Sequence, residues 1–254
     1  MPATREPEAD LSVLPKADGS ARYSYAGYTV TGSVNGPIEA QRRDEHAYEA
    51  HVDVIVRPAA GVGGTRERHL ETTLQSSLTQ LILVKNFPRS LIQIVLQVES
   101  APENDYVNTK LVQASLNFAI IPALLQTAVL ALLSAAVPMR ATATSAIVAV
   151  VSQDGASELV ADPSPREVEA AQSVHVLAFT SQDELLLAES EGDFTVKEWD
   201  DVYDTAKRIC CQSGATKGES IEMVLDEKGD NGPDMRQFLR STLETKVVAD
   251  LYWK

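Results

Sequence analysis

The chain has 254 residues, 44% hydrophobic and 23% charged, the balance of a globular chain able to bury a core. Acids outnumber bases 36 to 22, and the net charge of −14 argues against the broad basic footprint of a protein that grips nucleic acid alone. Its 2 cysteines, adjacent at Cys210 and Cys211, rule out a disulfide framework and a four-ligand zinc site.

Residues 1–17 read as an extended, polar arm with no signal-peptide pattern. Tyr23, Tyr25, Tyr28, Val30 and Val34, interleaved with Gly27, Gly32 and Gly36, predict short strands joined by tight turns. "HVDVIVRP" alternates at period 2 and predicts a strand with Val52, Val54 and Val56 on one face. The glycine-rich "AAGVGG" over 59–64 is a loop, without the Gly-Lys-Ser/Thr ending of a Walker-type phosphate cradle. Leu70, Leu74, Leu78, Leu81 and Ile82 recur at helical spacing over 65–86, with Pro88 closing the segment.

"SLIQIVLQVES" follows as a strand and "APEND" as a turn. Tyr106 to Ala136 reads as one long or broken helical region, with the break at Pro122. Its most apolar run, Phe118 to Val137, contains Pro122, Gln126, Thr127 and Ser134, which favours a buried helix over a membrane span. "MRATATSAIVAVVS" and "SELVAD" are strands around the turn "QDGA". Ser164, Pro165 and Glu167 form a capping-box signature that opens a short helical turn. A hairpin, a helix ending at the two cysteines, a Gly- and acid-rich stretch over 214–232 expected to be mobile, and a last helix complete the chain. In that helix Phe238, Leu239 and Leu243 need a surface to pack on. The order predicts an α+β fold of mixed sheets with packed helices in a single domain.

Residue chemistry alone points to no self-evident active site. His46, His51, His69 and His175 have no metal-ligand spacing, and no Gly-x-Ser-x-Gly elbow occurs. "DEKGDNGPD" lacks the alternating acids and closing Glu of a calcium loop. Arg42, Arg43, Arg66, Arg68 and Arg89 are the best-grouped bases of the first third; a local anion patch and surface pairing with the abundant acids are both open to them. Asp162 ends the apolar run "SELVAD", where either a catalytic carboxylate or a plain turn residue could sit.

Four segments in order, "DGSARYSYAGYTVTGSVNGPIEA", "VDVIVRPAAG" with "RERHLE", "FPRSLIQIVLQV" and "ALLSAAVPMRATATSAIVAVV", resemble the ribonuclease PH family, and within it the ring chains of the eukaryotic RNA exosome. The similarity runs from about residue 14 to 213. It implies a ribosomal-protein-S5-like α+β domain over 18–213, preceded by the arm and followed by an acidic loop and helix over 214–254.

Active members of that family cleave RNA from its 3′ end with inorganic phosphate. The resemblance places their phosphate-holding Asp-Gly-Gly-Thr-Arg element just before the long helix, where this chain has Ile121 at the arginine position and an insertion over roughly 100–118. Of two family aspartates six apart, Asp162 matches the first and Val168 stands at the second, flanked by Glu167 and Glu169.

The resemblance therefore implies a catalytically inactive ring subunit with no cofactor and no metal, Asp162 being vestigial and Arg66, Arg68 and Arg89 the RNA-channel candidates. Its partners would be other ribonuclease-PH-like ring subunits, S1/KH-type cap subunits, single-stranded RNA and a separate processive nuclease, with no membrane. Its setting would be rRNA processing and mRNA decay in nucleus, nucleolus and cytoplasm. The rivals are an active phosphate-dependent 3′–5′ exoribonuclease, a nuclease using Asp162 with Glu167 or Glu169, and a small-molecule-binding or adaptor domain reusing the fold.

Overall fold

The structure, a computed structural model, describes residues 6–102, 117–153, 156–211 and 234–252. Five strands build the first sheet: β1 (Glu8–Leu11), β2 (Gly19–Tyr25), β3 (Tyr28–Glu39), β4 (His51–Arg57) and β5 (Ser90–Ser100), in the order β1-β2-β3-β5-β4. All pairings are antiparallel except β4 with β5, and a parallel pair requires a crossover. Helix α1 (Thr65–Leu81) supplies it. The alternation in β4 survives intact: Val52, Val54 and Val56 are buried, facing Leu70, Leu74, Leu78 and Leu81 of α1 in one core.

Helix α1 also blunts the outer edge of β4. The Glu71 carboxylate accepts the Val56 N–H at 3.0 Å, and Gln75 Nε2 donates to the Val52 carbonyl at 2.7 Å. Two of the backbone groups that an edge strand would offer to another chain are thus occupied. The helix stops at Leu81, short of the expected residue 86, and a 3₁₀ turn over Val84–Asn86 leads to Pro88.

The second sheet, β7-β6-β8-β9, contains β6 (Ala143–Gln153), β7 (Ala156–Ala161), β8 (Ser173–Thr180) and β9 (Leu185–Gly192), all antiparallel. Helix α2 (Ile121–Ser134) lies between the sheets, and 11 of its 14 residues are buried. A helix apolar all round is stable in water only when covered all round, and the two sheets cover this one, as its reading as a buried helix requires. No described helix is long and apolar enough to cross a membrane. Ile147, Val176 and Ala178 face α2, whereas the alternate residues Val148, Val150, Leu177 and Phe179 face helix α4 (Val196–Cys211). The layers run sheet, helix, sheet, helix, as the α+β expectation requires.

Pro122 is the second residue of α2, so it starts the helix instead of breaking one. Its missing N–H is harmless there because the first turn has no intrahelical acceptor to lose. The other end of α2 closes with Ala136 at φ 53°, the Ala136 N–H donating to Leu133 O and the Val137 N–H to Leu132 O, both at 3.1 Å. This is a Schellman arrangement with alanine where glycine is unstrained. Ala136→Gly is therefore expected to stabilise the chain by about 1 kcal/mol, seen as a higher urea midpoint at unchanged slope.

The extended arm and the last helix both pack on the sheets. The arm contributes an edge strand, β1 pairing with β2 from Glu8↔Ser24 to Leu11↔Ala21. Helix α5 (Met235–Asp250) docks on its own chain: Leu239 is buried, Leu243 half-buried, and the Phe238 ring meets Tyr23 edge-on at 6.1 Å. Arg236 pins its start, donating to Asp183 Oδ1 at 2.6 Å and Thr180 O at 2.9 Å, and Lys246 Nζ donates to Ser12 Oγ at 3.0 Å. The stretch 214–232 and most of the 100–118 insertion lie outside the described residues.

Candidate functional site

The N-terminus of α2 is the natural place for an anion, because helix N–H groups and the helix dipole converge there. Here it is plugged. The 3₁₀ turn Phe118–Ile120 runs directly into the helix, and Phe118, Ile120 and Ile121 are 5%, 4% and 0% exposed. Pro122 removes one further donor, and no side chain caps the helix. An anion would meet hydrocarbon at this position instead of hydrogen-bond donors.

Asp162 follows β7 directly, at φ 49°, a conformation that aspartate tolerates better than most residues. Its N–H donates to Ile147 O at 3.1 Å, and its Oδ2 accepts the Tyr25 hydroxyl at 2.7 Å. Tyr25 belongs to the first sheet and Asp162 to the second, so this bond clips the two halves together. Burial raises the pKa of neighbouring Tyr23 far above its ordinary value, with smaller contributions from Tyr25 and the Asp162 charge.

Glu167 and Glu169, the acids that next follow Asp162 in sequence, lie on a short helix. Helix α3 (Pro165–Ala170) begins with the expected capping box, and Glu167 Oε2 accepts the Ser164 N–H at 2.7 Å. Val168, which the sequence resemblance sets at the second family aspartate, is half-buried, and Glu169 is exposed. No group of three or more potential metal ligands occurs among the described residues.

The Tyr25–Asp162 bond is worth testing by a double-mutant cycle. Tyr25→Phe and Asp162→Ala are each expected to cost about 1 kcal/mol, below the usual range for a charged hydrogen bond because the pair is exposed. The double variant should cost clearly less than the sum of the two in urea unfolding. Strict additivity would show that the clip is not made in solution.

The basic residues fall into two groups. Arg66 and Arg68 open α1, near the Arg57 end of β4. Arg89 precedes β5, near His51 at the opposite end of β4, about 20 Å away along a seven-residue strand. Arg42 and Arg43 lie on its side of the sheet, where the Ala40 N–H donates to Arg89 O. Of the two possibilities open to these arginines, one patch holding all five is not formed: the crossover that carries α1 back along β4 puts the two groups at opposite ends.

Within them the residues differ. Arg89 is paired with Glu45 at 3.3 Å, Arg66 is half-buried with its Nε enclosed, and Arg68 is exposed with no ion pair among the described residues.

His175 and Cys210 are structural. His175 is fully buried, its ring nitrogens hydrogen-bonded to Ser173 Oγ at 2.9 Å and Ser190 Oγ at 2.8 Å, and burial lowers its pKa. Cys210 and Cys211 form no disulfide, and burial pushes the Cys210 thiol up to about 12, which leaves it inert. Sequence reasoning did not find Tyr25 as the partner of Asp162, since the two are 137 positions apart and neither lies in a shared motif.

Comparison with known proteins agrees with this architecture. A yeast relative from Saccharomyces cerevisiae, "Exosome complex component RRP46", is 29% identical over 209 residues, 80% of this chain and 89% of its own length. A rice relative, "Exosome complex exonuclease RRP46 homolog", is 28% identical over 241 residues, 94% of this chain and 90% of its own. The crystal structure of rice Rrp46 superposes with a TM-score of 0.67 at 22% identity, covering 81% of this chain and 88% of that one. The family model "RNase_PH: 3' exoribonuclease family, domain 1" matches residues 3–138, so the chain belongs to the 3′ exoribonuclease family of ribonuclease PH.

Proposed function

We propose that the chain is a catalytically silent ring subunit of an RNA exosome. The observation that carries this reading is the apolar plug of Phe118, Ile120 and Ile121 at the helix end where the family's chemistry needs a phosphate. Phosphorolysis requires donors that hold the attacking anion, and hydrocarbon supplies none. The carboxylate that matches the family pattern, Asp162, is taken up by Tyr25. The names of the yeast and rice relatives, both exosome components, support the assembly half of the reading.

On this reading the subunit packs beside other ribonuclease-PH-like chains, under S1/KH-type cap subunits, and lines a channel that passes single-stranded RNA to a separate processive nuclease. Its place in rRNA processing and mRNA decay would then be nuclear, nucleolar and cytoplasmic. The net charge of −14 restricts RNA contact to a local patch, and Arg68 is the exposed cation best suited to it.

Purification of the tagged chain from its own cells tests assembly: equimolar recovery with other chains of the same family is expected, and a chain that purifies alone would refute it. Arg68→Glu in the assembled particle should weaken RNA protection by roughly tenfold with assembly intact, since one phosphate contact is reversed in sign. Unchanged protection would remove Arg68 from the channel.

The second reading, an active exonuclease, has one observation in its favour. The rice relative is named an exonuclease, and Asp162 is present here. It needs a phosphate or metal site that a neighbouring chain would have to complete.

A further inference from the structure

Helix α4 buries Val202, Ala206 and Cys210 and carries an aromatic rail along one flank. Trp199 and Tyr203, one turn apart, stack with ring centroids 5.6 Å apart and planes inclined by 24°. Phe179 of β8 holds the stack in place, meeting Tyr203 edge-on at 5.5 Å. Both rings of the rail are only half-buried, so solvent reaches them. One turn further on, Lys207 Nζ lies 5.7 Å from the centre of the Tyr203 ring. The rail thus already receives a cation, supplied by this chain itself.

A second rail runs beside the first. Asp200 and Asp204 follow the two aromatic residues by one position each, and both are exposed. Neither forms an ion pair among the described residues. Glu198 is different, because its Oε2 accepts the Thr195 N–H at 2.7 Å and the Thr195 hydroxyl at 2.8 Å at the helix start.

The spacing of the two rails selects a ligand. Positions four apart on a helix are about 6 Å apart along its axis, and alternate residues of an extended peptide are about 6.6 Å apart. A peptide with arginine at alternate positions therefore matches both rails at once. A guanidinium is planar, stacks on aromatic faces and pairs with a carboxylate through its fork of donors. A nucleic-acid backbone would instead bring its phosphates against the two carboxylates.

We propose that this flank of α4 docks an extended arginine-rich segment, of the pattern Arg-x-Arg, from a partner protein. One guanidinium packs beside Trp199 and Asp200, and the next beside Tyr203 and Asp204. The net charge of −14 draws such a segment toward the chain. Binding of this kind needs no ring around the chain.

The chain has 2 tryptophans, so Trp253→Phe leaves the emission of Trp199 as a local reporter. The probe is an acetylated peptide of alternating arginine and serine, about eight residues long, added at about 0.15 M salt. Saturable quenching is expected, with a dissociation constant on the order of 100 µM. The lysine–serine peptide of equal charge should bind at least about threefold more weakly, because an ammonium lacks the planar fork. Tyr203→Ala, and Asp200→Asn combined with Asp204→Asn, should each weaken the arginine peptide by at least about threefold. The exposed aspartate pair stands in if Tyr203→Ala fails to fold.

No quenching up to millimolar peptide would overturn the proposal. Equal binding of the two peptides, or binding indifferent to the aspartate pair, would show general attraction to an acidic chain and overturn it too. So would a single-stranded oligouridylate that quenches Trp199 at lower concentration than the arginine peptide, which would make the rail a base-stacking site.

Discussion

Ile121→Arg, which would place an arginine about where the sequence resemblance sets the family's phosphate-binding one, is expected to destabilise the chain by at least about 4 kcal/mol instead of creating a phosphate site. Ile121 is 0% exposed at the first turn of α2, between the two sheets. A guanidinium there would be a buried charge with no acceptor and no water, and arginine does not escape by losing its proton. The prediction is checked by urea unfolding with and without inorganic phosphate. Loss of most of the stability, unrelieved by phosphate, is the expected outcome. A variant of wild-type stability that phosphate stabilises further would mean that the helix end is a dormant anion site and not a plug.

The second large effect is expected at Gly19, where β2 crosses the last turn of α2. A Cβ on residue 19 would lie 2.3 Å from the Ala135 nitrogen and 2.5 Å from the Ala131 carbonyl oxygen, both backbone atoms of a helix that cannot retreat. Gly19→Ala should cost about 3 kcal/mol, the upper range for overpacking a core. Gly63→Ala is the control: its nearest neighbour is 3.7 Å away, and a change within about 0.5 kcal/mol is expected. Equal midpoints for the two variants would show that the sheet and α2 are not in close contact in solution.

The contrast between these sites explains what the sequence could disclose. The strands with clean alternation, above all Val52–Val56, and the helix carrying Leu70, Leu74, Leu78 and Leu81, were legible because their pattern and their burial have one cause, a single covered face. The capping box at Ser164 was legible because it is closed within four residues. Long-range partnerships were not. Strand β1 is short and polar and owes its existence to β2, and α5 finds Tyr23 and Ser12 more than 200 positions away.

The candidate site shows the same division. That Ile121 breaks the family pattern could be read from alignment of motifs. That Phe118 and Ile120 join it in a plug, and that Tyr25 occupies Asp162, required the sheets to be brought together. Whether the arginines form one cluster was open in the sequence for a topological reason: a parallel crossover separates what lies before and after it by the length of a strand. Arg68 and Arg89 are 21 positions apart in sequence yet at opposite ends of the sheet.

The most direct test of a catalytically silent subunit is release of nucleoside diphosphates from single-stranded RNA by the purified chain in the presence of inorganic phosphate, with Asp162→Asn alongside. The account predicts no release above a blank from either protein. Phosphate-dependent release that Asp162→Asn abolishes would contradict it, and would make the carboxylate that Tyr25 now holds a catalytic one.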